Sequence, residues 1–101
     1  MRKVYIAGKI TGDPTYRQKF AEAEKHLHEL AARTLPEGAV ILNPAILPEG
    51  MAYENYMEIC RAMIRVSDEV VFLPDWQDSP GALEEMRFCL ALAKPYSFLK
   101  N

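Results

Sequence analysis

Val70-Val71-Phe72-Leu73-Pro74-Asp75-Trp76-Gln77-Asp78-Ser79-Pro80-Gly81-Ala82-Leu83-Glu84-Glu85 is the stretch on which the reading of this chain turns. Its first residues are apolar without alternation, the pattern of a strand covered on both faces. Its last residues open an apolar helical pattern that runs to about Ala93. Between them lies a polar loop rich in hydrogen-bonding groups. In open α/β sheets, the handover from a parallel strand to a helix is where ligands bind. The loop offers a helix N-terminus able to hold an anion, an indole able to stack on a ring, and several carboxylates.

Working outward, the same alternation of short apolar runs and helical periods continues. Upstream, Tyr53, Met57, Cys60 and Ile64 share one stripe of a helix expected over about Tyr53–Val66. Glu54, Glu58, Arg61 and Arg65 take its other side, spaced for ion pairs. Ala39-Val40-Ile41-Leu42 is a strand closed by Asn43-Pro44. Phe20, Ala23, Leu27, Leu30 and Ala31 recur at helical spacing within about Thr15–Ala32. Val4 to Ala7 is the first strand, ended by Gly8, and Tyr96 to Leu99 is the last. The order β-α-β-α-β-α-β implies parallel pairing and right-handed crossovers. The fold class is therefore α/β: a three-layer, flavodoxin-like (Rossmann-like) parallel sheet. Its strand order is expected to be 2-1-3-4, with helices on both faces. The loops after Ala7 and Leu73 then flank one crevice.

The chain of 101 residues suits one domain, spanning 1–101. A domain so small leaves much surface exposed, which favours a homodimer or higher homo-oligomer. A net charge of -2 without a basic run argues against a nucleic-acid duplex or an anionic membrane as partner. No apolar run approaches the roughly 20 residues of a membrane span. The N-terminal residues read as a strand and not as a signal peptide. Cys60 and Cys89 lie far apart on apolar segments and read as cytoplasmic thiols.

Several residues carry candidate chemistry. Ser79-Pro80 has the form of an N-cap followed by proline at the first helical position, and Gly81 lets a ligand approach the backbone. This is either a well-capped helix or a grip on a phosphate or hydroxyl. Glu84 and Glu85 either compensate the helix dipole or supply a nucleophile for an anomeric carbon. The wheel sets Leu83, Met86, Leu90 and Ala93 towards the sheet. It leaves Glu85 on the side of the small residues Gly81, Ala82 and Cys89, which favours Glu85 over Glu84. Trp76 either caps the core or stacks on a base. Asp75 and Asp78 either bind sugar hydroxyls or solvate the loop. Gly8 and Lys9 flank the crevice from the first strand, and Asn43 sits at its rim. Neither a dinucleotide fingerprint nor a P-loop is present. His26 and His28, two apart on a helix, do not make a metal pair, and no metal or organic cofactor is expected.

These residues together resemble the nucleoside 2-deoxyribosyltransferase-like superfamily. The resemblance rests on Tyr5-Ile6-Ala7-Gly8, Asn43-Pro44-Ala45, Ser67-Asp68-Glu69-Val70-Val71-Phe72-Leu73, and the pattern W-x-x-S-x-G-A-x-x-E from Trp76 to Glu85. Together with Tyr56 to Ile64, that pattern is similar to a small phage and bacterial branch defined as a domain of unknown function. The resemblance implies that Glu85, four residues after Gly81, attacks C1′ of a deoxyribonucleoside or its 5′-monophosphate. It implies that Ser79 holds the 5′ end, that Tyr5 sits beside the nucleophile, and that neighbouring subunits help complete the site. The chain departs from the characterised enzymes at Cys60, which stands where they carry an aspartate. It departs also at Lys9 and Thr11, where nucleotide hydrolases have serine and arginine. Three readings remain open: an N-glycosidic hydrolase or transferase, a non-catalytic nucleotide-binding module, and an interaction protein with a vestigial crevice. The first is preferred.

Overall fold

The computed structural model describes residues 1–100. The elements are β1 (Arg2–Ala7), α1 (Tyr16–Thr34), β2 (Ala39–Leu42), α2 (Tyr53–Val66), β3 (Glu69–Phe72), α3 (Pro80–Leu92) and β4 (Tyr96–Phe98). Single 3₁₀ turns occupy Pro44–Ile46 and Trp76–Asp78. All three strand pairings are parallel, and the order is β2-β1-β3-β4, as expected for the flavodoxin-like class.

The two-residue period of the strands sorts the core into two layers. Val4 and Ile6 of β1, with Val71 and Leu73, face Phe20, Ala23 and Leu27 of α1. Tyr5 and Ala7, with Val70 and Phe72, face Cys60 and Ile64 of α2 and Cys89 of α3. This alternation puts the Tyr5 side chain under α2 and α3, in the layer that holds Glu85. The ends of β1 and β3 then run close together. The Leu73 amide donates to the Ala7 carbonyl at 2.7 Å. A Cβ on Gly8 would lie 2.9 Å from Leu73 Cδ1 and 3.0 Å from its Cβ, so any larger residue would have to displace the Leu73 side chain.

The packing of α3 corrects the helical wheel. Its buried residues are Ala82, Glu85 and Cys89, whereas Leu90 is 59% exposed and Ala93 lies beyond the helix with φ 53°. Small side chains and the Glu85 carboxyl face inwards, Leu83 is half-buried and Met86 packs against the core, while Leu90 and Leu92 turn outwards. A stripe drawn through the most apolar residues therefore missed the inward face by a fraction of a turn. Leu30 of α1 and Tyr53 of α2 are likewise exposed at 41% and 43%.

Candidate functional site

The carboxyl end of β1, the loop from Gly8 to Pro14 with Tyr16 at the start of α1, the segment after β2 from Pro44 to Glu49, and the N-terminal halves of α2 and α3 enclose a cavity of about 730 Å³. Tyr5, Gly8, Ser79, Gly81 and Glu85 all line it, joined by Cys60 from α2. Ser79 caps α3: its Oγ accepts from the Ala82 amide at 3.1 Å, and its carbonyl accepts from Leu83 at 2.9 Å. Pro80 has no amide hydrogen. In the first turn of α3 this leaves the Gly81 N–H, among the described residues, to meet a ligand.

Glu85 is 5% exposed and accepts a hydrogen bond on Oε2 from the Tyr5 hydroxyl. Burial raises its pKa to about 7, and the charge of Glu84 pushes the same way. The Tyr5 hydroxyl and the Cys60 thiol pull it back by stabilising the carboxylate. Tyr5 is pushed well above its ordinary value by burial and by the neighbouring carboxylate. Burial and Glu85 likewise push the Cys60 and Cys89 thiols up to about 11. Tyr5, Cys60 and Cys89 therefore stay neutral beside Glu85 near pH 7, the range to which burial lifts Glu85 itself. A buried carboxyl group poised in this range can act as a base, an acid or a nucleophile.

The remaining sequence candidates stand elsewhere. Asp75 Oδ1 accepts from the Lys9 amide at 3.1 Å, and Asp75 Oδ2 pairs with the Lys19 ammonium. Lys19 also donates to the Lys9 carbonyl at 2.9 Å and to Asp13 at 2.6 Å. Lys9 thus contributes its main chain to a clamp that joins the two crevice loops. Trp76 packs on Phe72 and Phe98, with ring centroids 5.4 and 5.5 Å apart, away from the cavity wall. Asn43 is buried and caps the turn at Pro44, accepting from Ala45 at 2.9 Å and donating to Glu24 at 3.1 Å. Asp78 is exposed at the end of the Trp76 turn. Among the described residues, no group of three or more His, Cys, Asp or Glu side chains is arranged to hold a metal ion. Among them too, no helix is long and apolar enough to cross a membrane.

Sequence reasoning missed Lys19 and the aromatic lining. Tyr16, Tyr53 and Tyr56 line the cavity, with Asp13 and Glu49. The available signal was the pair Tyr53 and Met57 on the stripe of Cys60, whose N-terminal turn overhangs the crevice. Lys19 had no signal, since a lysine in an amphipathic helix is ordinarily solvated.

Fold and site together define a flavodoxin-like α/β domain with a buried carboxyl group at the carboxyl edge of its sheet. Residues 2–97 match the family described as a domain of unknown function (DUF4406), and the chain belongs to that family. Among solved structures, the 2-desoxiribosyltransferase from Leishmania mexicana is similar, with a TM-score of 0.63 and 19% identity. The match covers 98% of this chain and 64% of that one, so this chain spans less than two thirds of that protein's length. At this identity the likeness is one of fold, and at that level the expected resemblance is met. No curated protein matches the sequence.

Proposed function

We propose that the cavity takes a nucleoside and that Glu85 is the nucleophile that breaks its N-glycosidic bond. One observation carries this reading: Glu85 is a carboxyl group buried in the cavity wall, held by a phenol and beside the N-terminus of α3. With Oε2 held by Tyr5, Oε1 is assigned to attack C1′. The base departs with the bonding electrons, and a glycosyl ester forms on Glu85. Water or a second base then attacks C1′ and frees the carboxylate. Ser79 and the Gly81 amide hold the 5′ end of the sugar, and Tyr16, Tyr53 and Tyr56 flank the base. Two separate environments would be needed for two-carboxylate glycosidase chemistry; here a single buried carboxylate does the covalent work.

A second reading is favoured by Cys60, a thiol lining the cavity where the resemblance leads one to expect an aspartate. In that reading the cavity binds a nucleotide without cleaving it. A second copy of the chain also belongs to the proposal, supported by the exposed Leu90, Leu92, Tyr96 and Phe98 on α3 and β4. Free, buried Cys60 and Cys89 support a reducing, cytoplasmic setting.

The test is base release from deoxyribonucleosides, ribonucleosides and their 5′-monophosphates, followed by chromatography. Release abolished by Glu85→Ala and kept by Glu84→Ala supports the glycosidic reading. Binding without release, unchanged in Glu85→Gln, favours the binding module.

A further inference from the structure

The titratable side chains on the cavity wall are carboxylates, phenols and one thiol: Asp13, Glu49 and Glu85; Tyr5, Tyr16, Tyr53 and Tyr56; and Cys60. Two nearby cations are held elsewhere, and Lys9, whose stem runs past Gly12, does not line the wall. Lys19 lies between Asp13 and Asp75. Arg17 donates to the Ala45 and Leu47 carbonyls at 3.1 and 3.2 Å and stacks over the Tyr16 ring. The first turn of α3 keeps a single amide for a ligand. Across from it, Met57 Sδ and the Tyr53 hydroxyl lie at ordinary contact distance, 3.6 Å, from where a Gly81 Cβ would stand. Such a wall suits a phosphate poorly. Phenol faces and carboxylates attract an organic cation instead.

Departure of a base from C1′ ordinarily needs a proton on the leaving nitrogen heterocycle. The side chains beside Glu85 are poor donors for that step. Asp13 is held as a carboxylate by Lys19 and Thr15, Tyr5 is engaged with Glu85, and Cys60 is a weakly acidic thiol. Glu49 stands on the exposed rim.

Resting on the proposed role of Glu85, the geometry points to a substrate class: unphosphorylated nucleosides whose heterocycle is already a cation, such as pyridinium or N7-alkylated purine nucleosides. The step balances without an acid. The Glu85 carboxylate forms a bond to C1′, the C1′–N bond breaks, and its electron pair neutralises the ring, which leaves as a neutral base. Water then replaces the ester oxygen at C1′. The sugar leaves with a new hydroxyl, one proton goes to solvent, and Glu85 is again a carboxylate.

The test pairs nicotinamide riboside and 7-methylguanosine with guanosine and uridine, each also as the 5′-monophosphate. Base release is measured with the wild type, and Glu85→Ala supplies the uncatalysed background. Affinity is measured on Glu85→Gln, which cannot react. The expected kcat/KM for the cationic nucleosides exceeds that for the neutral ones by roughly a hundredfold or more. Glu85→Gln is expected to bind 7-methylguanosine roughly tenfold more tightly than guanosine, and to bind each monophosphate more weakly than its nucleoside. Tyr53→Leu should erode that preference more than Tyr53→Phe. Glu85-dependent release with no preference for cations, or tighter binding of the monophosphates, overturns this inference and leaves the glycosidic reading standing. No release from any compound overturns both.

Discussion

Two sets of carboxylates meet at the same crevice and are treated in opposite ways. Asp13 and Asp75 share the Lys19 ammonium, and Thr15 adds its amide and hydroxyl to Asp13. Asp13 is held down to about 2 by these partners, led by the hydrogen bond from Lys19. Glu85, in the layer on the other side of the sheet, has no cation against it; its partners are a phenol and a thiol, and burial lifts it to about 7. The first set is electrostatic cement between two loops. The second is a charge kept out of water beside an open cavity, the circumstance in which a carboxylate becomes reactive. An acidic loop near a sheet edge therefore says little by itself; what faces each carboxylate decides its role.

The contrast can be broken most forcefully at Glu85. Glu85→Ala is expected to lower base release by about a thousandfold or more, because a covalent nucleophile has no substitute. Chromatography of the products reads this directly. An acid limb near pH 7 should appear in the wild-type rate profile as Glu85 ionises.

Glu85→Gln sharpens the comparison through stability. The folded-state pKa, about 7, lies above the ordinary 4.5. The folded protein therefore keeps a proton that the unfolded chain gives up first. Stability is fully present below about pH 4.5 and is lost as pH rises to about 7. Relative to Glu85→Gln, the wild type should lose about 3 kcal/mol over that window and no more above it. Urea unfolding of both proteins at pH 4.5 and pH 8.5 measures the difference, and the other titrating groups cancel. A flat difference would mean that Glu85 is solvated in the folded state.

Lys19→Met attacks the other set. Asp13 and Asp75 would lose their common cation, and the midpoint of urea unfolding should fall modestly. The Asp13 carboxyl should move up from about 2 towards its ordinary 3.8, visible by NMR titration. The effect on KM should exceed that on kcat, because the clamp shapes the cavity mouth and does not touch Glu85. The smallest effect belongs to Trp76→Phe. Its ring packs among Phe72 and Phe98, so the change should cost about 1 kcal/mol of stability and alter substrate affinity less than about twofold.

The sequence made the architecture legible because strand and helix periods agree along most of the chain. Val4 to Ala7 and Val70 to Leu73 read as buried strands, and both were found at the centre of the sheet. Glu85 and Tyr5 were legible as neighbours through the resemblance; the two-residue period of β1 supplies the physical reason that they meet. Side-chain direction in loops was not legible. Trp76 and Asp75 sit in the expected loop, yet one faces an aromatic cluster and the other an ammonium group. The tyrosine lining was hidden because Tyr53 obeys the period of a core stripe while its turn overhangs solvent. On α3, hydrophobicity turned the wheel part of the way outwards: Met86 packs on the core, but the buried positions are Ala82, Glu85 and Cys89 while Leu90 is exposed.

The most direct measurement is a trapped intermediate. A 2′-fluoro nucleoside with a good leaving group slows hydrolysis of a glycosyl ester more than its formation. The protein would be incubated with it, quenched in acid, digested and mapped by mass spectrometry. The expected result is a sugar attached to the peptide that contains Glu84 and Glu85, with fragmentation placing it on Glu85 and no adduct in Glu85→Gln. Base release with the sugar on another residue, or with the same adduct in Glu85→Gln, would contradict the assignment of Glu85 as the nucleophile.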